Sequence, residues 1–354
     1  MCEKCSLEMG FRNEPSKKKL KILLSTHHLN GYTGSEIFAK TLATGLQEFG
    51  HDVTVYSKYL GLISSEFRQK SIKLIDSLES IKKKKFDIAQ VSHNINAIEI
   101  RNYFPNLPIV FLSQGIIPFL EQPPDFDIGI SKYLAISEEV KNNLVTKGIP
   151  PSKIEIIGNI IDPNLFYPKY EINEYPQKAL ILSGRIDEHK TDVIKEACNT
   201  LDIDCEFRGG KFGTINQYDL NNLINKCDIV FSLGRGAIES MFCGRVPIIF
   251  DYLGGDGIVT PNTFDEIRKF NFSGRRNKIN FTSQELVSEI KKYNKKYGAI
   301  LHEKSVKEYS SKRVVNKLNK LYQEVIQEST LSDKINYKQI GFINNILIET
   351  RSYS

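Results

Sequence analysis

Apolar residues in this chain come in short runs separated by longer amphipathic stretches. The runs Leu20–Thr26, Val53–Ser57, Ile88–Ser92, Ile109–Ser113, Tyr133–Ile136 and Ile154–Ile157 have the length of buried strands. Between them, Ile37–Glu48, Asn96–Tyr103 and Glu138–Lys147 read as helices. Ser137 suits the N-cap of the last, with Glu138 and Glu139 in the first turn, where the helix dipole favours acidic groups. Gly61–Lys85 is ambiguous: Ile72–Ile75 reads as a strand or as the start of a helix through Ile81. A polar, proline-containing connection covers Pro163–Gln177. The pattern then repeats, with strands at Ala179–Ser183, Cys205–Arg208, Ile229–Leu233 and Val246–Phe250. Helices are expected at Asp192–Leu201, Tyr218–Asn225, Ala237–Cys243, Phe264–Phe270 and Glu285–Tyr293. Ser310–Gln327 predicts a long helix with Val314, Val315, Leu318, Leu321, Tyr322 and Val325 on its apolar side. Strands alternating with helices imply an α/β protein of two doubly wound, mostly parallel sheets, each covered on both faces.

The densest signal lies in residues 228–257. Ile229–Leu233 is a short apolar strand, Gly234 and Gly236 flank Arg235 in a tight loop, and Ala237–Cys243 suits a helix ended by Gly244. Val246–Phe250 is the next strand, followed by a glycine-rich turn at Gly254–Gly257. In such a βαβ unit the helix N-terminus offers free N–H groups and partial positive charge, which suits a phosphate. Glu239, one turn into the helix, is placed to accept hydrogen bonds from a ribose. A bland βαβ unit whose glycines only serve turn geometry reads equally well from this stretch alone.

Three further segments change that balance. Leu20–Thr26 leads into Gly31-Tyr-Thr-Gly34-Ser35-Glu36 and an amphipathic helix. Tyr133–Ser137-Glu138-Glu139-Val140 runs on to Lys147-Gly148-Ile-Pro, Asn159-Ile-Ile-Asp162 and Phe166-Tyr-Pro168. Ala179-Leu-Ile-Leu-Ser-Gly184-Arg185 precedes Asp187-Glu-His-Lys190. In this order the four segments resemble the retaining family-4 glycosyltransferases of the GT-B superfold, over roughly residues 20–328. That resemblance implies two Rossmann-like domains facing a central cleft. Its divisions here are an N-terminal tail (1–19), an acceptor-side domain (20–168) and a nucleotide-sugar-binding domain (178–309). A crossover helix (310–328) and a C-terminal helix or tail (329–354) complete the chain.

The resemblance also implies chemistry. A nucleotide-sugar donor has a diphosphate leaving group, and the developing charge must be stabilised while an acceptor hydroxyl is oriented. Arg185, a forked donor, and Lys190, a point charge, would clamp the diphosphate. The loops around Gly34–Ser35 and Gly234–Arg235–Gly236 would add contacts from opposite domains, and Glu239 would hold the ribose. His93, after the strand ending at Ser92, is the candidate for a catalytic or acceptor-side contact, with Glu36 and Gln114 beside it. The chain departs from the family in three places. Phe231 stands eight positions before Glu239, where the family often has a glutamate; Asn159-Ile160 replaces Asn-Gly; and Gln114 holds a place where histidine is common.

Composition narrows the class. The chain has 354 residues, enough for two domains, with 40% hydrophobic and 25% charged residues. No apolar run approaches the roughly 18 to 20 residues of a membrane span, and Met1–Lys19 has no apolar signal core. A cytoplasmic protein is expected. The net charge of +6, from 48 basic and 42 acidic residues, is too small to imply a nucleic-acid partner. Lysines cluster at 17–19, 82–85 and 291–296, as solvated helix ends or as a peripheral contact with an anionic membrane. Cys198, Cys205, Cys227 and Cys243 read as ordinary buried thiols, and Cys2/Cys5 as part of the tail. Asp202-Ile-Asp204 reads as a helix-to-strand turn rather than a metal site. The expected partners are therefore a nucleotide-sugar donor and a hydroxyl acceptor (glycan, lipid or small molecule), with no cofactor and no metal. Two alternatives share this fold: a non-catalytic nucleotide-sugar-binding protein, to which Phe231 points, and a nucleotide-sugar epimerase.

Overall fold

A computed structural model describes residues 18–209 and 217–329. The Cys2/Cys5 pair and the segment from residue 330 onward lie outside the described residues. The first sheet has seven parallel strands in the order Lys73–Ile75, Asp52–Tyr56, Lys21–Ser25, Ile88–Val91, Ile109–Ser113, Ile130–Ala135, Ile154–Ile156. A short parallel ribbon pairs His28–Leu29 with Tyr59–Leu60. The second sheet has five strands in the order Asp204–Arg208, Lys178–Leu182, Ile229–Phe231, Val246–Asp251, Gly254–Ile258. Central strands such as Ile109–Ser113 and Val246–Asp251 are buried along their whole length. Helices on both faces of a parallel sheet produce that continuous apolar pattern.

The ambiguous Ile72–Ile75 stretch is a strand, paired with Asp52–Tyr56. Three elements differ from the sequence reading. The expected loop Gly234–Gly236 is the first turn of the helix Gly234–Phe242. The expected turn at Gly254–Gly257 is an edge strand, antiparallel to Val246–Asp251. A side chain at position 255 would put its Cβ 2.2 Å from the Ile249 carbonyl oxygen, so close backbone approach selects glycine there. The helix Lys295–Tyr309 was not anticipated. Its polar surface hides a narrow buried stripe of Gly298, Leu301, Ser305 and Tyr309. Gly298 lets that helix approach Gly244, whose carbonyl oxygen would lie 2.4 Å from an added Cβ.

Two hydrophobic cores result, one under each sheet. Ile160 belongs to the first and Ile161 to the second. The connection beyond them is packed as well: Leu165, Phe166 and Ile172 are buried in the second core. The terminal helix Ser311–Glu328 returns to the first core, burying Val314, Val315, Leu318, Leu321, Tyr322 and Val325 there. The Tyr322 hydroxyl donates to Gln90 Oε1, a buried pair that gives the tyrosine its polar partner. The two crossings run side by side: Ile161 N–H donates to the Tyr309 carbonyl and Ser311 N–H to the Ile161 carbonyl, both at 2.8 Å. Elsewhere the domains are tied by Arg275, which grips Glu139 through two bonds of 2.8 and 2.6 Å, and by Asn159 Nδ2 donating to Asn271 Oδ1 at 2.6 Å.

Because the returning helix completes the first core, Leu318→Ala should cost about 2–5 kcal/mol, the range for a buried leucine. In denaturant unfolding followed by domain-specific probes, the first domain should melt earlier. An unchanged first-domain midpoint would contradict this packing.

Candidate functional site

Strand order indicates where a ligand crevice lies. In open parallel sheets, crevices form outside the carboxyl ends of strands where the order reverses. In the first sheet the order reverses between Lys21–Ser25 and Ile88–Val91; in the second, between Lys178–Leu182 and Ile229–Phe231. The residues that follow those strands are Thr26–Glu36, Ser92–His93, Ser183–Lys190 and Ser232–Glu239. These include all the candidate residues except Gln114, which directly follows the neighbouring strand Ile109–Ser113.

In the second domain, Ser183 sets the loop. Its hydroxyl donates to Asp251 Oδ1 at 2.8 Å and accepts from Arg185 N–H at 3.1 Å and Ile186 N–H at 3.0 Å. Asp187 then caps the helix Glu188–Thr200 by accepting from Lys190 N–H at 2.8 Å. Lys190 Nζ reaches the carbonyl oxygens of Asp251 at 3.2 Å and Tyr252 at 2.8 Å. Arg185 Nη1 donates to the Tyr252 hydroxyl at 3.1 Å, and its guanidinium lies 5.6 Å from that ring's centroid. Arg185 and Lys190 therefore converge on Asp251–Tyr252. Burial pushes the Asp251 carboxyl upward, opposed by its bonds to Ser183 and Tyr252 and by the two cations. Asp251 and Tyr252 were missed at the sequence level; they directly follow a predicted strand end, which is the only signal they carried. A cavity of about 890 Å³ opens beside this loop, bordered by Arg185, Asp187, His189, Lys195 and Phe207.

The helix Gly234–Phe242 begins without a side-chain cap at Leu233. Gly234 N–H is taken by the Phe272 carbonyl at 2.8 Å, so it is not a free phosphate donor. Gly236 is required by packing, since a Cβ there would sit 2.3 Å from Ser232 Oγ. Arg235 turns away from a phosphate position. Its Nε donates to Glu239 Oε1 at 2.7 Å and its Nη1 to the Ile160 carbonyl at 2.8 Å, while its buried Nη2 has no partner among the described residues. Glu239 is 3% exposed; burial pushes its carboxyl upward and Arg235 opposes the shift. The i, i+4 spacing of the two residues makes the pair possible on one helical face. Phe231 is fully buried in its strand.

In the first domain, Gly34 and Ser35 open the helix Gly34–Glu48. A Cβ at position 34 would meet nothing within 4 Å, so that glycine borders open space. Glu36 is buried, and its carboxylate accepts from Gly31 N–H at 3.0 Å and Thr33 N–H at 2.8 Å. Both of its oxygens thus hold the loop in place, a structural use that the acceptor-side expectation did not foresee. His93 is 3% exposed, and its Nδ1 accepts from His27 N–H at 3.0 Å. Burial, then the nearby His27 and His28, lowers its pKa from 6.5 to about 3. The ring is neutral at physiological pH and carries its proton on Nε2. Gln114 is half-buried, with a buried Oε1 that lacks a partner among the described residues. No hydrogen bond or ion pair joins His93, Glu36 and Gln114 to one another among the described residues. Glu121 was not anticipated. Burial pushes its carboxyl upward, and Arg185 of the other domain opposes the shift.

Among the described residues there is no group of three or more His, Cys, Asp or Glu side chains that could hold a metal ion. No helix among them is long and apolar enough to cross a membrane. Part of the lysine clustering is used in surface ion pairs, Lys82 with Glu79 and Lys292 with Glu289.

His93 makes stability depend on pH. Between pH 6.5 and about 3 the unfolded imidazole binds a proton that the folded one refuses. Its contribution is complete above 6.5 and is lost as pH falls toward 3, at up to about 1.4 kcal/mol per pH unit. Denaturant unfolding at pH 7 and pH 5 should show a shallower pH dependence for His93→Gln than for the wild type. Equal slopes would contradict the neutral, buried imidazole.

No protein-family model and no curated protein matches the sequence. Solved structures do match in fold. HepE of Anabaena, crystallised with UDP and glucose, superposes with a TM-score of 0.60 at 13% identity, covering 86% of this chain and 99% of that one. A glycosyltransferase from Rickettsia africae gives 0.61 at 16% identity, covering 88% and 99%. An α-glucosyltransferase in complex with UDP and DNA gives 0.59 at 13% identity, covering 88% and 100%. The chain has the GT-B fold, with two Rossmann-like domains and the carboxyl ends of their sheets at the cleft.

Proposed function

We propose that this chain is a retaining, family-4-like glycosyltransferase that binds a nucleotide sugar in the cleft and passes the sugar to a hydroxyl acceptor. One observation carries the reading: Arg185 and Lys190 converge on Asp251–Tyr252 at the second sheet's switch point. The lysine retains one of its three N–H donors after its two carbonyl bonds, and the guanidinium retains donors beyond the one on Tyr252. These would take the diphosphate oxygens. The uncapped first turn would add the N–H groups of Arg235 and Gly236. Glu239 has Oε1 committed to Arg235, so a ribose hydroxyl would be held through Oε2. Structural neighbours crystallised with UDP make UDP-sugars the first donors to test.

The acceptor hydroxyl oxygen attacks the anomeric carbon as the bond from that carbon to the diphosphate oxygen breaks. The hydroxyl proton passes to that leaving oxygen on the same sugar face, giving nucleoside diphosphate and a retained glycoside. No side-chain nucleophile is needed, which reconciles activity with the buried Phe231. Domain closure would exclude water from this step.

Arg185→Ala and Lys190→Ala should each weaken nucleotide binding roughly 10- to 100-fold, the equivalent of about 1.5–3 kcal/mol for a charged hydrogen bond. Calorimetric titration with UDP checks this, and wild-type affinity in both variants would remove the clamp. Nucleoside-diphosphate release should require an acceptor and should persist in EDTA. Activity lost to the chelator and restored by magnesium or manganese would overturn metal independence. Tight donor binding with no turnover over a broad acceptor panel would favour a non-catalytic binding protein, and a C2-inverted donor sugar among the products an epimerase.

A further inference from the structure

A second cavity, of about 440 Å³, lies at the opposite end of the second sheet from the cleft. It borders Gly244 and Arg245, which lead into the strand Val246–Asp251; the far end of that strand holds Lys190. Roughly 20 Å of strand therefore separates the two sites.

Arg245 is 1% exposed. Its Nη2 donates to the carbonyl oxygens of Tyr170 at 2.8 Å and Asn225 at 2.9 Å and to Asn225 Oδ1 at 3.2 Å. Its Nε is buried with no partner among the described residues. Among the described residues no carboxylate forms an ion pair with this cation. Asp228, whose charge favours the guanidinium, spends its oxygens on the N–H groups of Asn173 at 2.8 Å, Gln177 at 2.8 Å and Lys178 at 3.1 Å. A buried guanidinium without a direct ion-pair partner is costly to maintain, so the site favours added negative charge.

Around it stand two lysines and a histidine. Lys295 and His302 are seven residues apart on the helix Lys295–Tyr309, hence on one face, and both line the cavity. Lys169 lines the other side, with its Nζ 2.7 Å from Asn222 Oδ1. The one acidic residue at the rim, Glu171, has a side chain 91% exposed and lies 3.4 Å from Lys295. Tyr170 and the buried Ile172 supply an apolar wall. The volume exceeds what a bare anion fills and falls in the range of small-molecule sites.

We propose that this cavity binds a small phosphate monoester, with its phosphate among Lys169, Arg245 and Lys295 and its organic body against Tyr170 and Ile172. A monoester brings close to two negative charges, which suits three cations better than a single carboxylate would. The site is separate from the cleft, and its occupancy does not depend on glycosyl transfer.

Calorimetric titration of the full chain with glucose 6-phosphate, inorganic phosphate, glucuronate and glucose tests this. Saturable binding is expected for glucose 6-phosphate, weaker binding for inorganic phosphate and glucuronate, and none for glucose. The double variant Lys169→Ala/Lys295→Ala, which spares the buried Arg245 and so the fold, should bind glucose 6-phosphate at least about tenfold more weakly. Arg185→Ala/Lys190→Ala should bind it as the wild type does. The proposal is overturned by no saturable binding of glucose 6-phosphate, by tighter binding of glucuronate, or by binding that survives the first double variant and is lost in the second.

Discussion

The Ser183 hydroxyl joins chain segments that would otherwise separate, donating to Asp251 and accepting from the N–H groups of Arg185 and Ile186. That one side chain bends the backbone as it leaves its strand, which fixes where Arg185 begins and where Asp187 can cap the next helix. Capping in turn sets Lys190 one turn along, within reach of the Asp251 and Tyr252 carbonyls. The neighbouring strand leaves no room for adjustment: a Cβ at Gly209 would lie 2.1 Å from the Ser183 carbonyl oxygen. A glycine and a serine thus position two cations at the carboxyl end of the sheet before any ligand arrives, and preorganised charge of this kind is what stabilises a leaving group.

Around that point the protein keeps several charges at low solvation. Glu239 and Asp251 are both buried, and both have their carboxyls pushed upward by desolvation, with neighbouring cations opposing the shift. Glu121 of the facing domain is pushed upward by burial in the same way, with Arg185 opposing the shift. A buried pair such as Arg235–Glu239 adds little to stability by itself. Its orientation does matter, since it draws Arg235 from the mouth of the cleft to the domain junction at Ile160. The same junction carries the paired crossings at Ile161 and Ser310–Ser311.

Most of the architecture was legible because buried parallel strands are short, apolar and separated by amphipathic helices. What escaped the sequence reading did so for physical reasons. Gly254–Ile258 is a strand because three glycines fit where backbones crowd, and glycine carries no β signal. Lys295–Tyr309 packs through one narrow stripe that begins at a glycine, so its charged surface masked the helical period. At the site, Arg185 and Lys190 were legible from their position after a strand. Their partners Asp251 and Tyr252, more than 60 residues away, were not, because only the strand pairing brings those carbonyls to Lys190. Glu36 and His93 were found as residues but not in their structural uses. A carboxylate satisfying two loop N–H groups and an imidazole accepting from a backbone N–H look, in sequence, like candidates for chemistry. Arg235 and Glu239 were each expected to meet a ligand, yet their i, i+4 spacing pairs them first with each other.

The account turns on Arg185 and Lys190 meeting a diphosphate at the second sheet's switch point. A crystal structure of the full chain with UDP tests this most directly. The diphosphate oxygens should lie within hydrogen-bond distance of the Arg185 guanidinium and Lys190 Nζ, with the ribose toward Glu239. A nucleotide bound away from these two cations, with Lys190 still on the Asp251 and Tyr252 carbonyls alone, would contradict it.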